Sequence, residues 1–375
     1  MDNRCDGIYD CTDDSDEKDC SKLILNEDSY KSELPPLERG KLLEIDTSIF
    51  LLNINRVQLP TLFEAKIQLV LTWRDYRLNY ADLQESGNII EKEIQTKLWT
   101  PPIQFSNTKK QVLLNDGKAT IEILKKGSFV RNDITEVRES FIFEGDENDI
   151  KYSRDYEEHF HCFFDLRNYP FDKQTCTIDV NIPPSFMGQL KLMPRQTFYN
   201  GTPELVQFFI KGIELKSFKN GTMIKCLVHM KRNPMHHIFS TYLPTSCILL
   251  MAMITLFIDK SHFEAMIMVT LTAMLVMYTL FQSVEASMPA TAYLNLLDYW
   301  ICFGLMMPFV AFMVQIYWEL MEARNNSVSH GMYKGRQSKT RKLPSCNCCK
   351  YLLPVICGVF VVFYILAVYL IVTLE

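Results

Sequence analysis

The sequence has little glycine or proline and no surplus of positive charge, and each shortage excludes a class of protein. Its 375 residues include 14 glycines and 16 prolines, too few for a fibrous or low-complexity chain. The formal net charge of -5 gives no electrostatic reason to expect a nucleic-acid partner, because such binding needs a concentrated basic face. An enzyme would need a nucleophile paired with a base, or a catalytic metal cluster, and the sequence shows neither pattern. We therefore expect neither a nucleic-acid-binding protein nor an enzyme.

What the sequence does contain is apolar residues, and the second half holds them in long runs. Hydrophobic residues make up 48% of the chain, enough for a large core. Four uncharged apolar runs each reach the length that crosses a hydrocarbon core of roughly 30 Å as a helix. They are Ile238 to Ile258, Ala265 to Val284, Tyr299 to Trp318 and Tyr351 to Leu374. The sequence therefore predicts a multi-pass membrane protein with a four-helix transmembrane domain over residues 236–375.

The loop between the third and fourth runs predicts the orientation of these helices. Residues 319–350 carry seven lysines and arginines against two acids, which places this loop in the cytoplasm by the positive-inside rule. Four spans then leave both termini outside the cell. Residues before the first span are expected to form an extracellular domain.

The extracellular part has the pattern of β-strands. Between Ala65 and Trp73 apolar residues alternate with others, a period of two that buries one face of a strand. Turn signals such as Asn200-Gly201 and Asn220-Gly221 separate similar short segments. Further predicted strands cover Ser48–Leu59, Gln111–Leu114, Ala119–Leu124, Cys176–Ile182 and Met223–Met230. We expect an extracellular antiparallel β-sandwich over residues 35–235.

The twelve cysteines sort by their predicted compartment. Only the six extracellular ones can form lasting disulfides, and the partners of Cys11 and Cys226 stay open. Cys162 and Cys176 enclose thirteen residues with Tyr169-Pro170-Phe171-Asp172 among them. Closing such a loop would stabilise the fold by about 3 kcal/mol on the chain-entropy model.

This loop, ahead of four spans, resembles that of the Cys-loop receptors, the pentameric neurotransmitter-gated ion channels. Trp73-Arg74-Asp75-Tyr76-Arg77-Leu78 is similar to the family's W-x-D-x-R-L strand, and Trp99-Thr100-Pro101 to its W-x-P segment. Arg232, twelve residues before Pro244, matches the arginine before the first span. The resemblance covers residues 35 to 375 and implies a Cys162–Cys176 disulfide. It also implies a homo- or hetero-pentamer in the plasma membrane, with synapses as one setting. A small extracellular ligand would open this pentamer to inorganic ions.

The N-terminal residues 1–20 resemble the second half of an LDL-receptor class A module. Their closely spaced acids would repel one another unless a cation such as Ca²⁺ neutralised them, although a solvated acidic linker is the alternative reading. The resemblance implies a Cys5–Cys20 disulfide and calcium ligands from the side chains of Asp6, Asp10, Asp16 and Glu17 and the carbonyl of Ile8. Half a module without an apolar signal peptide also leads us to expect that Met1 is internal to a longer protein.

The second apolar run carries a stripe suited to a pore. Steps of three or four residues place Met268, Thr272, Leu275, Thr279 and Gln282 on one helical face. The polar members would line water, and a ring of Leu275 would form a hydrophobic constriction where the family has its gate. A stripe of this kind could instead be helix-packing surface.

Carboxylates flank this stripe and favour cations. Glu264 precedes the run and Glu285 lies at its outer end, so a pentamer would hold five carboxylates at each mouth. Anion-selective relatives carry Pro-Ala-Arg at the inner mouth, where this chain has Glu264-Ala265-Met266. An anion channel of the glycine/GABA-like branch is the alternative, because Ala286-Ser287-Met288-Pro289 resembles the linker of that branch. A calcium-dependent lipoprotein or adhesion receptor is a further alternative, which would not explain four spans with a polar stripe.

The resemblance also implies coupling and ligand-binding residues. Asp172 and Arg232 match positions that meet where the extracellular domain couples to the pore. Trp73 and Trp99 match two strands of the aromatic ligand box, although both could equally be core residues. Phe218 is the one aromatic that the hairpin over this box offers, and Pro183 stands where another aromatic is expected. The agonist, and whether the chain binds one itself or is an accessory subunit, stay open.

Two further features of the sequence are its extracellular sequons and a pair of adjacent histidines. Asn200-Gly201-Thr202 and Asn220-Gly221-Thr222 are sequons on the extracellular side and predict glycans on Asn200 and Asn220. His236-His237 replaces two tyrosines that are common in relatives at the start of the first span, which suggests a pH or metal sensor.

Overall fold

The computed structural model describes residues 22–25, 29–38, 40–108, 119–129, 141–288, 291–332 and 348–374. The N-terminal module, with its predicted calcium ligands and Cys5–Cys20 disulfide, and the predicted strand Gln111–Leu114 lie outside these residues and stay predictions. The chain divides into two compact units. The strand unit holds Met1–Phe163, Thr175–Pro203 and Lys211–His229, and the helical unit holds Phe164–Gln174, Glu204–Ile210 and Met230–Glu375.

The strands form a β-sandwich, as predicted. The strands are β1 Leu23–Ile24, β2 Leu43–Gln58, β3 Leu62–Trp73, β4 Asn79–Ala81, β5 Gln104–Phe105, β6 Thr120–Leu124, β7 Ile142–Glu144, β8 Asp149–His161, β9 Lys173–Asn181, β10 Leu190–Tyr199, β11 Phe208–Phe218 and β12 Met223–Arg232. A five-stranded sheet has the order β10-β2-β3-β8-β6, a four-stranded sheet the order β11-β12-β9-β5, and β1, β4 and β7 form a small third sheet.

Strand β3 lies in the middle of the five-stranded sheet and confirms the alternation seen in the sequence. Ala65, Ile67 and Leu69 are completely buried, and the residues between them are at least partly exposed. Antiparallel pairing places Leu69 opposite Ile49 of β2 on one side and Arg154 of β8 on the other. The period of two in the sequence therefore corresponds to a buried face of strand β3.

One pairing contradicts the expectation of a wholly antiparallel sandwich. Strand β10 runs parallel to β2, with Leu190 beside Leu43, and a bulge follows Pro194. A parallel pair joins strands that are far apart in sequence, so no short turn marks it. Proline cannot donate to the sheet ladder, which fits the place of β10 at the sheet edge.

Strand β8 was not predicted because its sequence is strongly charged. Its apolar members recur every four residues at Tyr152, Tyr156 and Phe160, and all three are buried. Phe105 of β5 packs edge-on against Tyr156 and Phe160, with ring centroids 5.3 and 5.7 Å apart. These rings join the two large sheets into one core.

Four helical segments are long and apolar enough to cross a membrane, which confirms the four predicted spans. The first covers Met235–Phe257 and comprises α2 Met235–His237, a π-helical turn over Ile238–Tyr242 and α3 Leu243–Ile254. The others are α4 Phe263–Ser287, α5 Leu296–Met332 and α6 Cys348–Leu374, and the short α1 Lys92–Gln95 belongs to the strand unit.

Two features of these helices differ from the prediction. Helix α5 has 37 residues and continues past Trp318 into the predicted loop 319–350, because leaving the apolar run does not by itself end a helix. The π-helical turn lies just before Pro244, which lacks an N–H and would clash with the carbonyl of Ser240 in a regular helix.

A buried polar cluster sets the rotation of α4 in the helical unit. Gln315 of α5 places its side-chain nitrogen 2.8 Å from the Thr255 hydroxyl and 3.0 Å from the Thr270 hydroxyl. All three residues are at most 2% exposed. Because a buried polar group is costly without a partner, α4 must keep Thr270 turned inward.

Candidate pore face, coupling site and ligand face

The predicted stripe of α4 points away from the helical core. Met268 and Leu275 are 64% and 63% exposed in the single chain. The remaining predicted pore residues are also exposed: Glu264, Thr272, Thr279, Gln282 and Glu285. The opposite face is buried and comprises Met266, Thr270, Ala273 and Met277. Packing within the chain therefore uses the other side of the helix and leaves the stripe free.

The stripe offers hydrogen-bond acceptors to water or ions. The Thr272 hydroxyl donates to the Met268 carbonyl at 2.9 Å, and the Thr279 hydroxyl to the Val276 carbonyl at 2.8 Å. With its proton committed to the backbone, each hydroxyl turns its oxygen lone pairs outward. Leu275 lies between these two polar levels.

The structure contains the predicted ion pair between Asp172 and Arg232. The Arg232 Nε–H donates to Asp172 Oδ1 at 2.7 Å and Nη2 donates to Oδ2 at 3.1 Å. The Arg232 backbone N–H also donates to the Asp172 carbonyl at 3.1 Å. Both side chains are only 2% exposed. This is a bidentate, charge-assisted contact of the strong kind.

Further groups compensate the burial of this pair. The guanidinium carbon of Arg232 lies 4.4 Å from the ring centroid of Phe208 and 4.7 Å from that of Tyr169. Gln174 donates to Asp172 Oδ2 and, at 2.6 Å, to the Asp165 carbonyl. The ring faces and the extra hydrogen bond offset part of the desolvation cost of two buried charges.

Tyr169 connects this cluster to the first span. Its hydroxyl oxygen lies 2.8 Å from His237 Nε2, and the two rings meet edge-on with centroids 5.0 Å apart. Burial raises the pKa of Tyr169 to about 12, against the opposing effect of the Arg232 charge. The phenol therefore keeps its proton at neutral pH.

The segment between α4 and α5 reaches the same disulfide loop. The Leu166 N–H donates to the Tyr293 hydroxyl oxygen at 2.9 Å, and the Leu296 N–H donates to the Arg167 carbonyl at 2.9 Å. The Arg167 guanidinium lies 5.5 Å from the Tyr293 ring centroid. Sequence reasoning missed Tyr293, and an aromatic in a linker between two spans was the only available signal.

The predicted disulfide between Cys162 and Cys176 is present, with the two Cα atoms 5.2 Å apart. Cys162 follows β8 and Cys176 lies within β9. Cys226 is a free, buried thiol, and burial raises its pKa to about 12. Its partner was left open by the sequence, and within the part of the chain that the structure describes it has no disulfide partner.

Trp73 and Trp99 lie in the core of the strand unit. They are 2% and 3% exposed, and their rings meet edge-on with centroids 5.8 Å apart. Rings buried this deeply in the single chain offer little surface to a ligand. The burial favours the core reading of these two tryptophans over the predicted ligand contact.

Phe218 is exposed at the end of β11, but a cation from the same chain already faces it. The Lys225 ammonium lies 5.6 Å from the Phe218 ring centroid and 3.0 Å from Asp179 Oδ2. Asp179 Oδ1 and Asn181 Oδ1 nearby along β9 are buried and have no hydrogen-bond partner among the residues that the structure describes. Sequence reasoning named only Phe218, because contacts between strands do not show in local patterns.

Comparison with known proteins identifies the family. A family model described as "Neurotransmitter-gated ion-channel ligand binding domain" matches residues 17–227, more than half of the chain. The chain belongs to the Cys-loop neurotransmitter-gated ion channels. This is a family of ligand-gated channels and not of enzymes, and the sandwich followed by four apolar helices is consistent with it.

Two curated relatives of this Cys-loop chain carry GABA receptor names. A "Gamma-aminobutyric acid receptor subunit beta-like" of Drosophila melanogaster is 24% identical over 252 residues, or 62% of this chain and 47% of the relative. A "Gamma-aminobutyric acid receptor subunit beta" of Lymnaea stagnalis is 24% identical over 296 residues, or 73% and 56%. The chain spans about half the length of these relatives.

The predicted glycan positions of this Cys-loop chain are accessible. Asn200 follows β10 and Asn220 lies in the turn between β11 and β12, and both residues are exposed. Lys219, Asn220 and Gly221 all have positive φ, of 49°, 56° and 86°, so the turn is tight; Asn220 is exposed and Gly221 is buried. Glycosylation itself stays a prediction.

Proposed function

We propose that this chain is a subunit of an extracellular ligand-gated ion channel whose pore is lined by α4. The observation that carries the proposal is the exposed stripe of α4, opposite a face that packs against the rest of the helical unit. Five copies of the helix around an axis would bring the hydroxyl levels of Thr272 and Thr279 and the Leu275 ring to the pore. The same chain carries the buried ion pair of Asp172 and Arg232 that would couple ligand binding to opening.

The cellular setting follows from the same proposal. The chain would cross the plasma membrane four times, with both termini outside and loop 319–350 in the cytoplasm. Synapses are one of the sites where it would act. It would assemble as a homo- or hetero-pentamer that opens to a small extracellular ligand. The N-terminal half-module, residues 1–20, would bind calcium outside the cell.

Cation selectivity is the reading that the charges favour. Glu264 and Glu285 are exposed at the two ends of α4. Five carboxylates about 6 Å from a permeating ion contribute about 3 kcal/mol in a water-like dielectric before salt screening. Anion selectivity is the second candidate, supported by the two relatives named for GABA receptors and by the linker after α4.

Replacing Glu264 with glutamine tests the charge ring. We expect the sodium-to-chloride permeability ratio to fall about tenfold or more, because the variant removes five negative charges at the inner mouth. Reversal potentials under dilution of external sodium chloride measure this ratio. The exposed Glu38 in the strand unit provides a control, since Glu38→Gln removes the same charge far from α4 in sequence. A wild-type reversal potential that follows chloride contradicts the cation proposal and favours the anion one.

Replacing Leu275 with serine tests the gate. We expect at least a tenfold rise in resting current without any ligand, because five serines hydrate a constriction that five leucines keep dry. Leu271→Ser is the matched control, since Leu271 is 43% exposed on the same helix but lies outside the stripe. Resting current per unit of surface protein is the measurement, and equal currents from the two variants would place the gate elsewhere.

A direct recording tests the proposal as a whole. The chain is expressed alone and with related subunits while GABA, other amino acids, amines, protons and metal ions are perfused. We expect at least one of them to evoke current. If the protein reaches the surface and neither the wild type nor Leu275→Ser conducts in any combination, the channel proposal is wrong.

A further inference from the structure

The first turn of the first span holds a histidine that faces the disulfide loop. His237 ends helix α2, and its Nε2 lies 2.8 Å from the Tyr169 hydroxyl. The neighbouring His236 ring is 5.4 Å from the His237 ring and is exposed. Of the two histidines, only His237 forms a hydrogen bond with the loop within the described part of the chain. The two adjacent histidines therefore have different surroundings and form a natural pair of test and control.

The direction of this hydrogen bond follows from the surroundings. The charged groups beside the pair are Arg232, whose guanidinium stacks on Tyr169, and its partner Asp172. The buried Tyr169 hydroxyl keeps its proton, and the Arg232 charge disfavours a second cation on the imidazole. Among the described residues the Tyr169 hydroxyl has no other hydrogen-bond acceptor, so we assign Tyr169 as the donor and the neutral His237 as the acceptor at Nε2, with the imidazole proton on Nδ1.

The bond makes a connection that the ion pair does not make. Arg232 ends strand β12, so the Asp172–Arg232 pair joins the disulfide loop to the end of a strand. His237 belongs to the span itself. Residues 233–236 lie between them, and here Asn233 donates its N–H to the Gln207 carbonyl at 2.8 Å and accepts from Met235 N–H at 3.2 Å. The loop thus holds the span through Tyr169 in addition to holding the strand before it.

We propose that His237 is a positioning residue for gating, which accepts the Tyr169 hydrogen bond and thereby ties the disulfide loop to the first span. The inference rests on the proposed channel function. Its role differs from that of the Asp172–Arg232 pair, because the imidazole is neutral and the contact is made by one hydrogen bond and one ring edge. A change in the loop is then transmitted to the span through this contact as well as along the backbone.

Three substitutions separate the hydrogen bond from the ring packing. His237→Gln keeps an acceptor near the position of Nε2 and removes the ring. His237→Phe keeps a ring and removes the acceptor, and Tyr169→Phe removes the donor while it keeps the ring. His236→Phe is the matched control next in the chain. Each is made in the Leu275→Ser background, so that the resting open probability is measurable without knowledge of the agonist.

We expect His237→Phe and Tyr169→Phe each to change the ratio of open to closed channels at least about fivefold, the factor of a typical net hydrogen bond. The double variant should change it no more than either single one, since both remove the same contact. His237→Gln and His236→Phe should stay within about twofold of the background. Open probability from single-channel or noise recordings, at matched surface expression, is the measurement.

Two distinct results would overturn the proposal. If the background conducts but His237→Phe behaves as His237→Gln does, or if its effect simply adds to that of Tyr169→Phe, the histidine has no role through this hydrogen bond. If the protein reaches the surface and neither the wild type nor the Leu275→Ser background conducts in any combination of subunits, the channel proposal fails first. The two failures are distinguishable because only the first occurs in a conducting background.

Discussion

Replacing Arg232 with alanine is expected to lower the free energy of unfolding of the protein by about 3–5 kcal/mol. The substitution leaves the Asp172 carboxylate buried without its partner, and Asp172 is only 2% exposed. The contacts of the guanidinium with the Tyr169 and Phe208 rings are lost with it. A loss of this size is a large fraction of the stability of a typical domain, so little protein should reach the cell surface.

The measurement is the amount of surface protein together with the apparent melting temperature in detergent. An exposed ion pair gives the control: Lys41 and Glu38 lie 2.6 Å apart with 75% and 54% of their side chains exposed. Glu38→Ala should leave surface expression and the melting temperature nearly unchanged, because exposed pairs contribute little. Arg232→Lys should fall between the two, since lysine keeps the charge but loses the bidentate geometry. Arg232→Ala protein that melts and traffics as Glu38→Ala does would show that the buried pair does not support the fold.

Replacing both Cys162 and Cys176 with serine is expected to cost about 3 kcal/mol and to abolish surface expression at 37 °C. The disulfide closes a loop of thirteen residues. Without it the unfolded chain has more conformational entropy, so folding costs more free energy. It also places two hydroxyls where the half-cystines are at most 4% exposed. The same loop carries Tyr169 and Asp172, so the loss acts on the contacts of both.

Cys247 provides the matched control for the disulfide. It is a free and exposed cysteine, and Cys247→Ser should leave surface expression within about twofold of the wild type. Non-reducing gels of the wild type, with alkylation of free thiols before and after reduction, count the bonded cysteines. Normal surface expression and melting of the double serine variant would contradict a stabilising role for this disulfide.

Much of the fold could be predicted because its signals are local. The alternation from Ala65 to Trp73 depends only on the geometry of one strand, and the four apolar runs depend only on helix length and membrane thickness. The stripe on α4 follows from helical periodicity, and the structure leaves that face exposed. The Cys162–Cys176 disulfide and the meeting of Asp172 with Arg232 came from family resemblance, and both contacts are present.

The features that the sequence did not reveal have a common physical origin in contacts between distant parts of the chain. No short turn in the sequence indicates the parallel pairing of β10 with β2. Trp73 has the sequence context of a ligand contact, and only its burial against Trp99 shows it to be in the core. Lys225 lies opposite Phe218 because their strands are neighbours in one sheet.

The sequence by itself determined the class of this protein: a β-rich segment, four spans, and a second span with a polar stripe. These properties follow from side-chain periodicity and run length, which any stretch of chain carries within itself. Only the tertiary structure decided that His237 meets Tyr169 and that Tyr293 meets the loop at Leu166. His237 and Tyr169 are about 70 residues apart in the chain, and Tyr293 and Leu166 about 130. No local sequence pattern identifies contact partners at such a separation.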